Sequence, residues 1–244
     1  MTLGPSPLFP DLRRRLIGVP EAMDADDCDL TQLEQTYRNF GQVNAVVSGW
    51  RAVYQRELRP LLSATRPSSM LDIGCGGGDV PRQLGRWAAQ DGLRLDITAI
   101  DADERAIRYA SALPPLAGAP LIRFRQAMSH DLVREGRLFD FVISNHLLHH
   151  LSAEELAALL DDCQRLCLGK VIHSDLERHP LPYAVFSTLT LPLFRNSFIR
   201  ADGLLSIRRS FTPSELHRML PSGWRLRRQF PFRHLLLYQY TRHA

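Results

Sequence analysis

The sequence predicts an α/β protein whose core is a doubly wound, seven-stranded and mostly parallel sheet. From residue 69 onward, short apolar runs alternate with amphipathic stretches of helical period, as in βαβ units. Glycines follow the first apolar run directly. Two further apolar runs close the chain and are separated by a short turn, so the last strand is expected to run antiparallel to the others.

Composition narrows the class of protein. A chain of 244 residues, 45% hydrophobic and 23% charged, suits one domain with an appended subdomain. No apolar run reaches the roughly 18 residues of a spanning helix. The basic residues 13–15 follow the first apolar residues, which argues against a secretory signal. Because the four cysteines show no zinc or disulfide spacing, we expect a cytoplasmic protein.

Residues 1–60 are predicted to form a helical N-terminal cap. Apolar and aromatic residues recur there at helical spacing in two stretches: Leu33, Tyr37, Phe40 and Asn44, then Trp50, Val53, Tyr54 and Leu58. The cap precedes a core that we assign to residues 61–244.

Five strand patterns follow in the core: Met70 to Ile73, Leu95 to Ile100, Leu121 to Met128, Phe139 to Ser144 and Lys170 to His173. Helical patterns lie between them. Asp103 is expected to cap one helix, and Ser152 with Glu155 forms a capping box for another. Cys163 and Cys167 fall on the apolar stripe of the latter, so both are predicted to be core residues.

Residues 176–211 interrupt the alternation after the fifth strand. The segment is too long for an ordinary connection and rich in aromatic residues, so we predict a helical insertion that serves as a substrate lid. Thr212, Pro213 and Glu215 then begin another helix. Trp224 to Phe230 and His234 to Tyr240 are predicted to form the closing hairpin.

The stretch from Leu71 to Asp79 is the main candidate for a ligand-binding site, because a predicted strand is followed directly by the glycine-rich sequence GCGGG. A dinucleotide fingerprint would need glycine where Asp79 stands, and a P-loop would need GK[ST]. Asp72 can pair with an ammonium group. Asp101 ends the second strand, where an acid accepts hydrogen bonds from ribose hydroxyls. A positively charged ribonucleoside without phosphate fits this pattern, which points to S-adenosylmethionine.

These motifs resemble the class I S-adenosylmethionine-dependent methyltransferases. The similarity rests on residues 71–78, 99–103 and 139–151, and it implies a Rossmann-like methyltransferase fold. It also implies cofactor-binding residues: Asp72, Gly74, Cys75, Gly76 and Gly78 around the methionine moiety, Asp101 at the ribose, Ala102 against adenine, and Ser144 and Asn145 near the sulfonium.

One stretch departs from the family. An acid often contacts the adenine amino group after the third strand, whereas residues 126–131 read QAMSHD here. We expect Met128 to pack on the purine and Ser129 to offer its backbone N–H, with Asp131 as a candidate replacement for the missing acid. By family habit, Tyr37 and Arg38 are expected near the cofactor carboxylate.

Histidines cluster where the fourth and fifth strands end. Since open α/β sheets bind ligands at that edge, His149 and His150 are our first candidates for a catalytic base or substrate anchor, followed by Asp175. His146 and His173 fall nearby. No metal site is expected, because the acids near this edge form no recognisable carboxylate cluster.

Residues 144–147 read SNHL instead of the Asn/Asp-Pro-Pro-aromatic motif of amine and amide methyltransferases, which resembles the small-molecule branch. Aromatic residues of the cap and the insertion are expected to roof the acceptor: Tyr37, Trp50, Tyr54, Tyr183, Phe186, Phe194 and Phe198.

We therefore predict O-methylation of a small hydroxylated, aromatic or polyketide-like acceptor. Carbon methylation of a quinone precursor is the nearest alternative. A non-catalytic RNA- or protein-binding module, using the basic residues from Arg225 to Arg233, stays open, although no nucleic-acid partner is expected. Peripheral membrane contact through Leu181 to Phe198 is a third option, and the sequence indicates no particular oligomeric state.

Overall fold

The structure is a computed structural model that describes residues 10–116, 118, 121–190 and 196–241, with only the backbone described at 45–47 and 189. Its sheet has seven strands in the order β3-β2-β1-β4-β5-β7-β6. Strand β7 pairs antiparallel with both β5 and β6, and the other pairs are parallel. The predicted fold class is therefore confirmed. The strands are β1 (Ser68–Ile73), β2 (Leu95–Asp101), β3 (Ile122–Gln126), β4 (Phe139–Asn145), β5 (Cys167–Leu176), β6 (Trp224–Gln229) and β7 (Arg233–Gln239).

Nine α-helices accompany the sheet in the part of the chain that the structure describes. They are α1 (Leu30–Val47), α2 (Trp50–Val53), α3 (Asp79–Gln90), α4 (Glu104–Ala112), α5 (Ser129–Arg134), α6 (Ala153–Leu166), α7 (Pro180–Leu189), α8 (Ile199–Arg209) and α9 (Pro213–Met219). Helix α2 continues into a π turn (Tyr54–Leu58) and a 3-10 turn (Arg59–Leu61). Short 3-10 helices also span Ala22–Asp24 and Leu148–His150.

The observed strand boundaries differ most from the predicted ones in β3 and β5. Strand β3 is shorter than expected, because Met128 already serves as the N-cap of α5, a helix that the sequence pattern did not suggest. Strand β5 is longer, and Cys167 opens it instead of ending α6. Cys163 and Cys167 are both buried free thiols, so their predicted place in the core is correct.

Alternation along the strands builds a core on each face of the sheet. Leu71 and Ile73 of β1 face the side covered by α5, α6 and α9, whereas Met70, on the opposite side of the same strand, faces α2 and α3. Period-2 alternation with apolar residues on both sides is what a sheet covered on both faces requires.

The N-terminal segment and the insertion pack against each other. The carboxylate of Asp202 in α8 accepts the backbone N–H groups of Ala22 and Met23 at 2.8 and 3.0 Å. The backbone N–H of Leu16 donates to the carbonyl of Arg208 at 3.0 Å. These contacts bring residues near position 21 against the insertion. The division into cap, core and lid stays a prediction.

Among the described residues, no helix combines the length and apolar character that a bilayer crossing requires.

Candidate active site

A cleft of about 1010 Å³ lies at the carboxyl ends of β1, β2 and β4. Residues of the N-terminal segment, α1 and the insertion form its other walls. Ligand pockets typically measure about 300 to 1,000 Å³, so this cleft is at the upper end of that range. Its size suits two neighbouring ligands.

The glycine loop after β1 lines one side of the cleft through Gly74, Cys75, Gly76 and Gly77. Gly76 has φ +51°, and a Cβ atom added there would meet no described atom within 4 Å. The backbone at this position is therefore open to a ligand.

Gly78 has a packing role and does not contribute to the described cleft wall. It has φ +77°, and a Cβ atom there would lie 2.8 Å from the ring of Phe124 in β3. Gly78 does not line the cleft as the structure describes it. Its absent side chain allows α3 to start close to β3.

Asp72, at the end of β1, is buried with 1% exposure, and neither carboxylate oxygen has a hydrogen-bond partner among the described residues. Burial raises its pKa well above the ordinary value, and the charges of Asp79 and Asp101 add to this. Asp79 accepts a hydrogen bond from Asn44 of α1 at 2.9 Å. An unpartnered buried carboxylate is costly, so this position calls for a cationic ligand group.

Asp101, at the end of β2, is fixed by the backbone of two loops. One carboxylate oxygen accepts the N–H of Gly76 at 2.8 Å, and the other accepts the N–H of Asp103 at 3.0 Å. Burial raises the pKa of Asp101, and these backbone hydrogen bonds oppose the rise. The carboxylate both shapes the glycine loop and lines the cleft.

Ala102, Met128 and Ser129, which the resemblance assigns to the purine, also line the cleft. Met128 is half exposed, and the Ser129 hydroxyl donates to Asp162 at 2.6 Å. Asp131, the candidate replacement for the missing acid, does not line the described cleft. Its carboxylate accepts the backbone N–H of Met128 at 2.9 Å and thereby caps α5.

Two expected positions lie elsewhere. Arg38 is exposed on α1, its guanidinium is 3.5 Å from Glu34, and it does not line the described cleft. Tyr37, one residue earlier, lies on the buried face of the helix and does line it. Ser144 points to the other side of the sheet, where its hydroxyl lies 2.7 Å from Nδ1 of the buried His173. His173 stacks on Trp224 and is therefore a core histidine.

His149 is held between two carboxylates. Its Nδ1 lies 2.8 Å from Oδ1 of Asp175, and its backbone N–H donates to Oδ2 of the same residue at 2.8 Å. On the other side, Nε2 lies 3.4 Å from Oε1 of Glu21. His150 adds Nε2 at 3.8 Å from that oxygen, and its Nδ1 lies 3.5 Å from Asp24. Glu21, His149 and His150 line the cleft, whereas Asp175 stands behind them.

The charges of this cluster depend on one another. Burial disfavours the imidazolium of His149, but Asp175 and Glu21 outweigh that penalty and raise its pKa to about 9. Burial likewise opposes ionisation of Glu21, yet His149, His150 and Ser206 lower its pKa to about 2. The pKa of Asp175 is lowered by His149 despite burial. The position between the carboxylates therefore favours positive charge.

Arg233 of β7 is a second polar anchor in the cleft, with 1% exposure. It donates to Ser174 at 3.1 Å, to Asn145 at 2.7 Å and to Nε2 of His146 at 2.7 Å. Burial lowers the pKa of Arg233 to about 10. Burial, followed by the charge of Arg233, also lowers the pKa of His146, so this imidazole accepts the hydrogen bond as the neutral form. These contacts fix Asn145 and the loop after β4.

The remaining wall is apolar. Aromatic and aliphatic side chains from the cap, the β4 loop and the insertion line it, including Tyr37, Phe40, Leu147, Leu151, Phe186 and Ile199. Trp50 and Tyr54 do not join this wall, because they pack in the core against α3 and the sheet. Tyr183 and Phe198 are also absent from the described lining. Phe194 lies outside the described residues.

Sequence reasoning missed Glu21, Asn44 and Arg233. Glu21 precedes a three-residue helix, and nothing in its neighbourhood marks it as buried. Arg233 lies in the stretch interpreted as a basic end, yet it is enclosed. Their partners are distant along the chain, so only the fold brings these residues into the cleft.

The polar groups that line the cleft fall into two sets, which suit different ligands. The unpartnered Asp72, the open backbone at Gly76 and the Asp101 carboxylate fit the ammonium, methionine chain and ribose of S-adenosylmethionine. A separate set, Glu21, His149 and His150, offers one ligand atom each within 4.8 Å of one another, a spacing that a metal ion could bridge.

Comparison with known proteins agrees with this geometry. Residues 70–168 match the family model described as a methyltransferase domain. The chain is 30% identical over 118 residues to a ubiquinone biosynthesis O-methyltransferase of Cereibacter sphaeroides, covering 48% of this chain and 44% of that protein. It is 28% identical over 150 residues to the protein of the same name from Paracidovorax citrulli, covering 60% and 56%. The matched regions thus span about half the length of these relatives.

Solved structures extend the similarity to most of the chain. The plantazolicin methyltransferase bound to S-adenosylhomocysteine superposes with a TM-score of 0.62 at 16% identity, covering 88% of this chain and 92% of that one. Human N-acetylserotonin methyltransferase bound to S-adenosylmethionine gives 0.60 at 16% identity, covering 86% and 56%. At this identity the similarity establishes the fold.

Proposed function

The chain carries a class I S-adenosylmethionine-dependent methyltransferase domain, and from this premise we propose that it methylates a hydroxyl group of a small aromatic acceptor. The observation that carries the proposal is a single cleft with two chemically different parts. One part is lined by Asp72, the glycine loop and Asp101, and the other by apolar side chains beside His149 and His150.

The first part would hold the cofactor. Asp72 pairs with its ammonium group, Asp101 accepts the ribose hydroxyls, and Met128 packs on the purine. Asn145, fixed by Arg233, lies at the carboxyl end of β4 and orients the reacting end. When bound, the cofactor supplies a methyl group on a sulfonium sulfur, which an oxygen nucleophile can displace.

The second part would orient the acceptor and exclude water. Rate in such a displacement comes chiefly from alignment of the nucleophile, which rigid apolar walls provide. His149 and His150 are the polar groups at which we place the acceptor hydroxyl. Asp175 acts on His149 and not on the acceptor, because it holds the histidine from behind and does not line the described cleft.

A phenolic hydroxyl suits this site better than an alcohol. The transferred oxygen must lose its proton, and a phenol ionises near pH 10, as tyrosine does. The aromatic residues Tyr37, Phe40, Phe186 and Phe232 in the lining favour a flat ring. The ubiquinone biosynthesis enzymes among the relatives act, by their name, as O-methyltransferases, which supports the same choice.

The alternatives have less support. The basic strand β6 is mostly engaged within the chain: Arg227 lies 2.8 Å from Glu57, and Arg228 lies 2.7 Å from Glu177. These pairs weaken the argument for an RNA-binding face. Carbon methylation of a quinone precursor would use the same cleft and differs only in the bond formed.

Two measurements test the proposal. Calorimetry should show binding of S-adenosylhomocysteine, and Asp101→Asn should weaken it by about 10- to 100-fold, the scale of a lost charged hydrogen bond. Asp96→Asn, at an exposed position of the same strand, is the matched control. A screen of phenols, quinols and polyketides with labelled cofactor should then give a product with a methyl ether in its NMR spectrum.

Failure to bind the nucleoside would refute the assignment. A product methylated on carbon would replace the O-methyl proposal by its nearest alternative. Retained affinity in Asp101→Asn would remove Asp101 from the ribose site.

A further inference from the structure

Three donor atoms converge where the N-terminal segment meets the loop after β4. Oε1 of Glu21, Nε2 of His149 and Nε2 of His150 all lie within 4.8 Å of one another. Nε2 of His149 is 3.4 Å and Nε2 of His150 is 3.8 Å from the Glu21 oxygen. Residues more than 100 positions apart thus direct their ligating atoms at one point.

The outer contact of His149 matches that of a metal ligand, and His150 has a carboxylate at ion-pair distance on the corresponding side of its ring. A histidine that binds a metal usually donates its other ring N–H to a carboxylate, which fixes the tautomer with the ligating nitrogen bare. Nδ1 of His149 lies 2.8 Å from Asp175, and Nδ1 of His150 lies 3.5 Å from Asp24. Both imidazoles therefore present Nε2 to Glu21.

We propose that Glu21, His149 and His150 bind one divalent transition-metal ion, with Asp175 and Asp24 as the carboxylates that orient the histidines. Two imidazole nitrogens and one carboxylate suit Zn²⁺, Co²⁺, Mn²⁺ or Fe²⁺ better than Mg²⁺ or Ca²⁺, which prefer oxygen ligands throughout. Three protein ligands leave at least one coordination position open, as in catalytic sites.

Carboxylates and arginines both surround the proposed metal site. The carboxylates of Glu21, Asp24 and Asp175 all lie around the site. Arg209 opposes them, with its guanidinium 3.8 Å from Oε1 of Glu21. Ser206 donates to the same oxygen at 2.7 Å and holds it in place. Arg15 is a second nearby cation, because its guanidinium donates to the backbone carbonyl of His149 at 2.8 Å. Three carboxylates and two arginines therefore surround the site, and an ionised acceptor oxygen would balance a bound divalent ion.

The open position gives the ion a role that rests on the proposed function. A hydroxyl bound to such an ion has a lowered pKa and releases its proton to water. The oxygen then forms a bond to the methyl carbon, while the carbon–sulfur bond breaks and its electron pair goes to sulfur. No oxidant or reductant takes part.

The test uses the full-length protein after removal of metals with a chelator. Titration with Zn²⁺ alone, followed by calorimetry, should give one equivalent bound. Bound Co²⁺ should show the visible d–d absorption that is typical of a Co²⁺ ion with low coordination number. His150→Ala and Glu21→Gln should each weaken binding at least about 100-fold, and Asp24→Asn by about 10-fold. His217→Ala, at an exposed position of α9, is the control.

The proposal would be overturned if the natural protein bound no equivalent of Zn²⁺. It would also be overturned if His150→Ala and Glu21→Gln bound Zn²⁺ as tightly as the natural protein does. Unchanged melting temperatures of the variants ensure that a loss of binding reflects lost ligands. Binding of S-adenosylhomocysteine is measured on the same samples. A protein that binds the nucleoside and methylates phenols in the presence of chelator would refute the metal site and leave the proposed function intact.

Discussion

The carboxylate of Asp175 holds His149 at two points, through Nδ1 of the ring at 2.8 Å and through the backbone N–H at 2.8 Å. Both partners are donors, so an amide cannot satisfy them together. In Asp175→Asn we expect turnover to fall by about 10- to 100-fold, because the imidazole loses its orientation, while affinity for S-adenosylhomocysteine stays the same. Steady-state kinetics and calorimetry measure the two effects. Asp161→Asn, on the exposed side of α6, is the control, and equal losses of turnover in both variants would contradict this role.

Asp72 should make the ligand-free protein less stable at high pH. Its pKa is raised by burial above the ordinary value of about 3.9. A raised pKa in the folded state means that this contribution to stability is fully present below about pH 4 and is lost as the pH rises through the folded pKa. Asp72→Asn should therefore be more stable than the natural protein at neutral pH and converge with it in acid. Melting temperatures from pH 4 to 9 test this, and parallel curves would refute it.

Cofactor binding should release protons from Asp72. Burial raises the pKa of this carboxyl group, and pairing with an ammonium group lowers it again, so any proton bound to the carboxyl group is released. At pH 6 the amino group of the ligand is already charged, so the net effect is a release of up to about one proton. Calorimetry of S-adenosylhomocysteine in two buffers with different ionisation enthalpies measures it. Equal enthalpies in both buffers would mean that Asp72 is ionised before the ligand arrives.

Gly76 and Gly78 should fail in different ways when replaced by alanine. At Gly76 the added Cβ meets open space, so the fold loses only about 1 to 2 kcal/mol for the left-handed backbone while nucleoside binding weakens. At Gly78 the Cβ would overlap the ring of Phe124 at 2.8 Å, and overpacking costs about 1 to 3 kcal/mol more. Thermal melts and calorimetry compare the two. A larger loss of stability at position 76 would reverse the assignment.

The sequence alone could place Asp72, the glycine loop and Asp101 together at one edge of the sheet, because they belong to two successive strand ends. Strand, glycine loop and helix follow one another between Ser68 and Gln90, and a parallel sheet necessarily brings Asp101 beside them. The same logic placed His149 and Asp175 at the ends of neighbouring strands. Local periodicity and parallel topology together were sufficient here.

The acceptor side could not be predicted in the same way. Glu21 reaches His149 through the packing of the N-terminal segment against α8, which depends on the Asp202 contacts. Arg38, which was expected near the cofactor carboxylate, does not line the described cleft, since helical phase turns it to solvent and Tyr37 inward. A shift of one residue along a helix decides whether a side chain faces the cleft or solvent. The apolar pattern of the sequence does not fix this direction unless the surface against which the helix packs is known.

The placement of Glu21 bears on how substrate preference could diverge among related proteins. The residues that we propose to hold the cofactor, among them Asp72, Gly76 and Asp101, lie within residues 70–168, whereas Glu21, α7 and α8 lie outside them. Substitutions in those outer segments could change the acceptor specificity during evolution without altering the proposed cofactor site. If the proposed function holds, a fragment trimmed to the matched residues would keep the residues proposed for the cofactor and lose much of the wall proposed for the acceptor.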